Sequence, residues 1–218
     1  MTYTEIRNHP EVCALLDRGN QNLGVLGFTD HSEAHCVLVA QRAAYVLRKL
    51  GHDEHTQELA RIAGFMHDIG NAINRTHHAE LGALLANDIL KQTDMPMADR
   101  IAVIAAIGQH DESTGNSMDP ISAALILADK TDVRRSRVRT KDAASFDIHD
   151  RVNHAVTGST LKVDPEEKTI ALNLQVDESI CTMYEYFDIF LNRMLMCRVA
   201  AEMLGCKFRL TVNGGKVL

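Results

Sequence analysis

The sequence predicts a mainly α fold, a helical bundle over residues 1–157 with a small β-β-α-β appendage over residues 158–218. Three observations carry that expectation. Through the first part, apolar residues recur at three- and four-residue spacing, as on helices with one buried face. Asp, Pro and Gly punctuate these runs as caps and stops. After Gly158 the spacing changes to two, with one long helical run between strand-like segments.

Ahead of the main series of helices, a short one runs from Thr4 to about Arg18, before the Gly- and Asn-rich stretch RGNQNLG. Thr29 or Asp30 is the expected N-cap of the next helix, whose stripe is Val37, Leu38, Ala44, Tyr45 and Leu47 and which Gly51 ends. Further helices are expected from about Thr56 to Asp68 and from His78 to Lys91. Pro96 opens a fourth in PMADRIAVIAAIGQHD, and Pro120 a fifth in PISAALILADKTDVRRS. A sixth is read from about Phe146 to Val156. The basic stretch VRRSRVRTKDAAS reads as a loop or an exposed helix end. Next, STLKVDPEEKTIALNLQVD reads as two strands around a Pro-Glu-Glu turn, and a long helix spans about Ile180 to Leu204. CKFRLTVNGG closes the chain as a short strand. The Met residues of the long helix (Met183, Met194, Met196, Met203) read as core or subunit interface.

Composition narrows the function classes. A hydrophobic fraction of 45% and a charged fraction of 24% over 218 residues are those of an ordinary globular chain. The net charge of −6 points away from binding a nucleic-acid duplex through a basic surface. No apolar stretch reaches membrane-spanning length, and no signal-peptide pattern opens the chain. The five cysteines contain no C-x-x-C pair, which argues against a disulfide framework or a thiolate zinc site and for a cytoplasmic location.

The chemistry lies in the histidines and aspartates. His67-Asp68 ends an apolar helix, beside Gly70, where the chain must turn. His35 sits on an apolar helix four residues after His31. His77-His78 begin the third helix, His110-Asp111 end the fourth, and Asp129 lies late in the fifth, within the apolar run LILAD. A carboxylate in such a run is costly unless paired or metal-bound. Helices facing one another in a bundle can aim such ligands at one point. Imidazole and carboxylate donors without Cys favour Mn, Fe, Mg, Co or Zn, as one ion or two. His9, His52, His55, His149 and His154 read as surface residues.

The order His35, His67-Asp68, Asp129 resembles the HD-domain metal-dependent phosphohydrolase superfamily, in its HDIG form. AHCVLVAQRA, FMHDIGN, HAELGA, IAAIGQHD and LILADKTDVRRSR resemble its successive motifs, over roughly residues 31–139. The resemblance implies an HD-type helical fold. It implies His35, His67, Asp68 and Asp129 as ligands of a first metal, with His67 and Asp68 as the catalytic pair. His78 and His110 match the extra histidines of two-metal members, in which the Asp of the pair bridges. The implied reaction is hydrolysis of a phosphate ester by a metal-activated water. Asn71 stands where Lys often follows HDIG, Gln109 precedes His110 in place of a second histidine, and DESTGNSMDP lacks the GYP signature of cyclic-di-GMP phosphodiesterases.

Phosphoryl transfer depends on positioning and electrostatics, so cationic side chains are expected beside the metals. Lys130, Arg134 and Arg135 follow Asp129, with Arg137 and Arg139 beyond, and Arg75 follows the HD pair. The leading expectation is an enzyme acting on a small phosphorylated substrate, a nucleotide. Two alternatives stand beside it: a phosphodiesterase on a cyclic or linear nucleotide, dinucleotide or oligonucleotide, and a metal- or nucleotide-binding sensor without turnover. The appendage is also a candidate surface for a homodimer.

Overall fold

The computed structural model describes residues 1–140, 142 and 146–217. Among them it contains nine α-helices: α1 (Tyr3–Arg7), α2 (Pro10–Val25), α3 (Glu33–Lys49), α4 (Glu54–Met66), α5 (His78–Leu90), α6 (Met97–Gly108), α7 (Pro120–Lys130), α8 (Ile148–Ala155) and α9 (Met183–Met203). Four strands, β1 (Val156–Asp164), β2 (Thr169–Val176), β3 (Lys207–Val212) and β4 (Gly215–Lys216), form one sheet in that order. The mainly α architecture and the C-terminal β-β-α-β order are as the sequence predicts, with β4 added after β3.

Local chemistry explains most boundaries. Asp53 caps α4 by accepting from the Thr56 N–H at 2.8 Å. Asp119 caps α7 by accepting from Ile121 and Ser122, both at 2.8 Å, with Pro120 in the first turn. Thr182 and Glu185 make a reciprocal capping box on α9. The β1–β2 hairpin is antiparallel. β2 and β3 are parallel, so α9 is the crossover between them.

Four elements differ from the sequence expectation. The first helix is split at Asn8–His9, because Pro10 opens a new one. That second helix then continues through RGNQNLG to Val25. Gly19 packs against Asn71 and Ala72, and Asn22 donates to both of their carbonyls at 3.1 Å. Tertiary contact overrides the low helix propensity of Gly and Asn here. α3 starts after Ser32, later than Thr29 or Asp30, so His31 precedes it, its N–H bonded to Asn20 Oδ1 at 3.0 Å. α7 stops at Lys130 short of Ser136, and a 3₁₀ turn follows at Arg135–Arg137. Positions 141 and 143–145 of the basic stretch lie outside the described residues. β4 was not legible as a strand.

The core runs from α1 to β3 as one hydrophobic cluster. α7 is at its centre: Ile121 to Ala128 are all buried, and the helix packs against α3, α4, α6 and α9. The change of secondary structure near residue 157 therefore does not interrupt the core. Met194 lies within it, while Met203 stays partly exposed. No helix among the described residues is long and apolar enough to cross a membrane.

Candidate metal centre

Five helices converge on one polar spot inside this core. His35 comes from α3, His67 and Asp68 from the end of α4, His78 from the start of α5, His110 from just after α6, and Asp129 from the last turn of α7. Two glycines allow the approach. A Cβ on Gly64 would lie 2.8 Å from Ala40 Cα, so its absence lets α4 lie directly on α3. A Cβ on Gly70 would lie 2.0 Å from the His78 carbonyl oxygen. Gly70 thus serves the close docking of α5 that delivers His78, and not a left-handed turn.

The histidines are oriented alike. His67 Nδ1 faces the Gly64 carbonyl at 2.8 Å, His110 Nδ1 the Ile107 carbonyl at 2.6 Å, and His78 Nδ1 the Arg75 carbonyl at 3.1 Å. His35 Nδ1 faces Asp132 Oδ2 at 2.8 Å. These oxygens only accept, so each Nδ1 is the donor and each Nε2 is turned inward; His35 Nε2 and His67 Nε2 meet no protein donor among the described residues, while His78 Nε2 faces Arg75 Nη1 at 3.3 Å. Metal-binding histidines are held in this way.

The Nε2 atoms meet the carboxylates. His35 Nε2 is 3.4 Å from Asp129 Oδ1 and 3.8 Å from Asp68 Oδ2. His67 Nε2 is 3.3 Å from Asp68 Oδ2 and 3.8 Å from Asp129 Oδ1. Donors at about 2.1 Å from one ion are about 3.0–3.4 Å apart between right-angle and tetrahedral arrangements. The 3.3 and 3.4 Å spacings fall within that range, and the two at 3.8 Å are slightly wider. His35 Nε2, His67 Nε2 and Asp68 Oδ2 are buried with no hydrogen-bond partner among the described residues. Buried polar atoms are otherwise almost always paired. Two ligand sets, His35/His67/Asp129 and His67/Asp68/His110, each have their donor atoms within 4.8 Å of one another. The residues fit a divalent cation.

A second pair strengthens the fit. His78 Nε2 and His110 Nε2 are 3.1 Å apart, and His78 Nε2 is 3.8 Å from Asp68 Oδ1. With both Nδ1 atoms protonated, two neutral rings would oppose lone pair to lone pair, an arrangement that a cation between them relieves. Asp68 directs Oδ2 toward His35 and His67 and Oδ1 toward His78, the disposition of a bridge.

Electrostatics match this donor set. Burial alone would raise the Asp68 and Asp129 carboxyls. His67, His31 and His78 around Asp68, and Lys130 and His35 around Asp129, outweigh it and hold both well below the usual carboxylate range. Burial and the neighbouring His78 and His67 push His110 down to about 3, so it is neutral at pH 7. Burial opposes the charged form of His67, yet the adjacent Asp68 and then Asp129 raise it above its ordinary value.

A ring of residues around the ligands was not legible in the sequence. Asp132 orients His35 and is itself held by Arg134 Nη2 at 3.0 Å, by Arg134 Nε, and by Arg137 at 3.9 Å. Asn71 Nδ2 donates to Asp68 Oδ1 at 2.8 Å, so the residue that replaces the expected lysine positions the central carboxylate. Lys130 Nζ lies 2.8 Å from Asp129 Oδ2 and 2.6 Å from Glu112 Oε2, and Glu112 Oε1 accepts from Arg193 of α9 at 3.1 Å. A carboxylate two residues past His110 was the one available signal for Glu112; nothing marked Arg193.

The four cations proposed for substrate phosphate separate. Arg75 is brought to the centre, with Nη1 3.3 Å from His78 Nε2 and its guanidinium 5.4 Å from the Phe28 ring. Lys130 is at the centre, but buried and engaged by two carboxylates. Arg134 is turned to Asp132, and Arg135 donates to the His154 carbonyl, so neither is brought to the ligands. His31 and Asp111 are nearby: the His31 ring is 5.5 Å from that of His35, and Asp111 Oδ2 is 3.6 Å from His78 Nδ1. His77, in a left-handed conformation before α5, points to solvent.

A cavity of about 370 Å³ adjoins the centre, with Phe28, His31, Arg75, Glu112, Phe190 and Arg193 in its wall. That is near the lower end of the range of about 300–1,000 Å³ for small-molecule sites.

Comparison with known proteins gives this arrangement a context. Residues 33–135 match the HD domain family. An uncharacterized protein of Methanocaldococcus jannaschii, MJ1020, is 27% identical over 68% of this chain and 66% of its own length. Ribonuclease Y of Campylobacter jejuni subsp. doylei is 30% identical over 63% of this chain and 24% of its own, so the chain spans about a quarter of that protein. A crystal structure of a predicted HD superfamily hydrolase from an uncultured Thermotogales bacterium is 24% identical, over 62% of this chain and 75% of that one, with a TM-score of 0.43.

Proposed function

Since this chain belongs to the HD domain family through residues 33–135, we propose that it is a metal-dependent phosphohydrolase acting on a phosphate ester of a small substrate, a nucleotide. The observation that carries this is the set of buried, unpartnered donor atoms, His35 Nε2, His67 Nε2 and Asp68 Oδ2, in a site whose histidines are all locked in one tautomer. His35, His67, Asp68 and Asp129 would hold one divalent ion. His78 and His110, with Asp68 as bridge, would hold a second. Such an ion lowers the pKa of bound water to about 7 and offsets charge on phosphoryl oxygens.

The chain's own residues do the rest. Asp132 and the carbonyls of Gly64, Arg75 and Ile107 fix the rings, so the donors are set before the substrate arrives. Arg75 supplies a planar guanidinium suited to two phosphate oxygens. Phe28 and Phe190 give the cavity an apolar side that suits a base, and its size suits one nucleotide better than two. The five unbridged cysteines support a reducing, cytoplasmic setting. The exposed apolar side of α9 (Leu191, Leu195, Val199) supports a homodimer, which sedimentation would reveal.

The test is turnover by the protein loaded in turn with Mn, Fe, Co, Zn and Mg, with metal content measured for each. Release of phosphate from nucleoside monophosphates, abolished in Asp68→Ala, is expected. Metal-loaded protein that releases none from a broad nucleotide panel would overturn the reading. The second reading, a phosphodiesterase, is favoured by the His78–His110 pair and by the similarity to ribonuclease Y. Cleavage of bis-(p-nitrophenyl) phosphate without monoester hydrolysis would select it. Stoichiometric nucleotide binding without turnover would select a sensor.

A further inference from the structure

We infer that Arg193 binds the substrate's anionic group across the cavity from Arg75, so that α9 of the C-terminal segment is part of the substrate site. For the nature of the ligand the inference rests on the phosphohydrolase reading above; the geometry stands independently of it.

Arg193 is held to the described residues through only one of its N–H donors. An Arg–carboxylate pair can use two N–H bonds at once, as Arg134 does with Asp132. In Arg193 only Nε is engaged, by Glu112 Oε1 at 3.1 Å, because Glu112 Oε2 belongs to Lys130. Among the described residues no protein acceptor takes the Nη1 or Nη2 protons, and a guanidinium has five N–H donors. The side chain lies over the Phe190 ring at 4.9 Å and lines the cavity. Its head is thus fixed by one hydrogen bond and one ring, with its remaining donors available.

Arg75 is the counterpart. It is stacked near Phe28, lines the same cavity, and reaches the ligand His78 at 3.3 Å. With that Nε2 committed to an ion, Arg75 Nη1 keeps only its long contact to Asn71 Oδ1 at 3.4 Å, and an anion is what would reconcile the two positive charges. The two arginine–aromatic pairs therefore frame a site for a compact molecule with an anionic group and a flat apolar part. A nucleoside monophosphate has that chemistry. Arg193 is also joined to the centre through Glu112, Lys130 and Asp129, so the C-terminal segment and the ligands are held in one register.

The experiment compares wild type with R193Q, R193K and the double variant R193Q/E112Q, which leaves no unpaired carboxylate at position 112. Metal content, melting temperature, kinetics on adenosine 5′-monophosphate, and calorimetric titration with adenosine 5′-monophosphate and inorganic phosphate are measured. In R193Q and in the double variant, KM and Kd should rise at least about tenfold, the equivalent of one charge-assisted hydrogen bond. Metal content stays at the wild-type level, and R193K recovers part of the affinity. Wild-type KM and Kd in R193Q would overturn the inference. So would an affinity loss that tracks lost metal in both R193Q and the double variant, since a structural role predicts that pattern. If wild type turns nothing over but binds phosphate in an Arg193-dependent way, the inference stands and the hydrolase reading falls. If wild type hydrolyses the nucleotide and R193Q is unchanged, the reverse holds.

Discussion

The ligand cluster and the charged wall beside it are built by different rules. In the cluster, His67, His78 and His110 are each oriented by the carbonyl three residues earlier in the chain. The wall joins distant positions: Glu112 with Lys130 and Arg193, and Asp132 with His35. The cluster is thus assembled largely from local motifs that helix packing brings together. The wall exists only once α3, α7 and α9 have docked. Motif chemistry places the donor atoms of the centre, and long-range pairing sets how they are held.

Several experiments would break or sharpen this contrast. The largest effect is expected from Asp68→Ala, which removes the carboxylate that faces both histidine pairs. Metal affinity and activity should fall by more than ~100-fold, beyond the ~10–100-fold typical of an outer partner. Retention of full metal stoichiometry, by elemental analysis, would show that Asp68 is not the bridge. Gly70→Ala should act through the same centre, because the added Cβ meets the His78 carbonyl. It should lower occupancy of the second ion first, with α-helical circular dichroism nearly unchanged.

On the wall, Asp132→Asn keeps the shape but weakens the orientation of His35, and should cost ~10–100-fold in metal affinity. An unchanged affinity would mean that the local carbonyl contacts suffice. Glu112→Gln should destabilise the fold at pH 7 by about 3–5 kcal/mol, because it breaks a largely buried pair. Its pH dependence has a definite sign. Burial would raise the Glu112 carboxyl, but Lys130 and Arg193 hold it well below its ordinary value. Its contribution is therefore present in full above the unfolded value of about 4.3 and is lost as pH falls toward the folded one. Urea unfolding at pH 7 and pH 3 should show the gap between wild type and Glu112→Gln narrowing in acid; a constant gap would contradict it. The smallest effect is expected far from both regions. Asp119→Ala removes the cap of α7 and should cost about 1 kcal/mol with metal affinity unchanged.

The helices that carry the ligands were legible because their periodicity and caps are local properties. Asp53, Asp119 and Pro120 mark starts in the sequence and do so in the structure. The passage through RGNQNLG was not legible. Its helix depends on Gly19 packing beside Asn71 and on Asn22 capping the turn after the HD pair, contacts about fifty residues away. For the same reason Asn71 read as a missing charge, whereas its amide holds the central carboxylate. The arginines after Asp129 looked equivalent in sequence. Arg134 serves Asp132, Arg137 supports the backbone at Asp30 and Asp132, and Arg139 ties down the segment before α3.

By itself the sequence determined the mainly α class, most of the order of the elements, and the His and Asp residues that the helices bring together. Those depend on residue type and spacing along one chain. Only the tertiary structure decided which lone pairs are free, which cations remain available, and that α9 reaches the cavity. Each of these is a question of which side chain occupies which acceptor, and the competing partners lie on helices that meet only in the folded core.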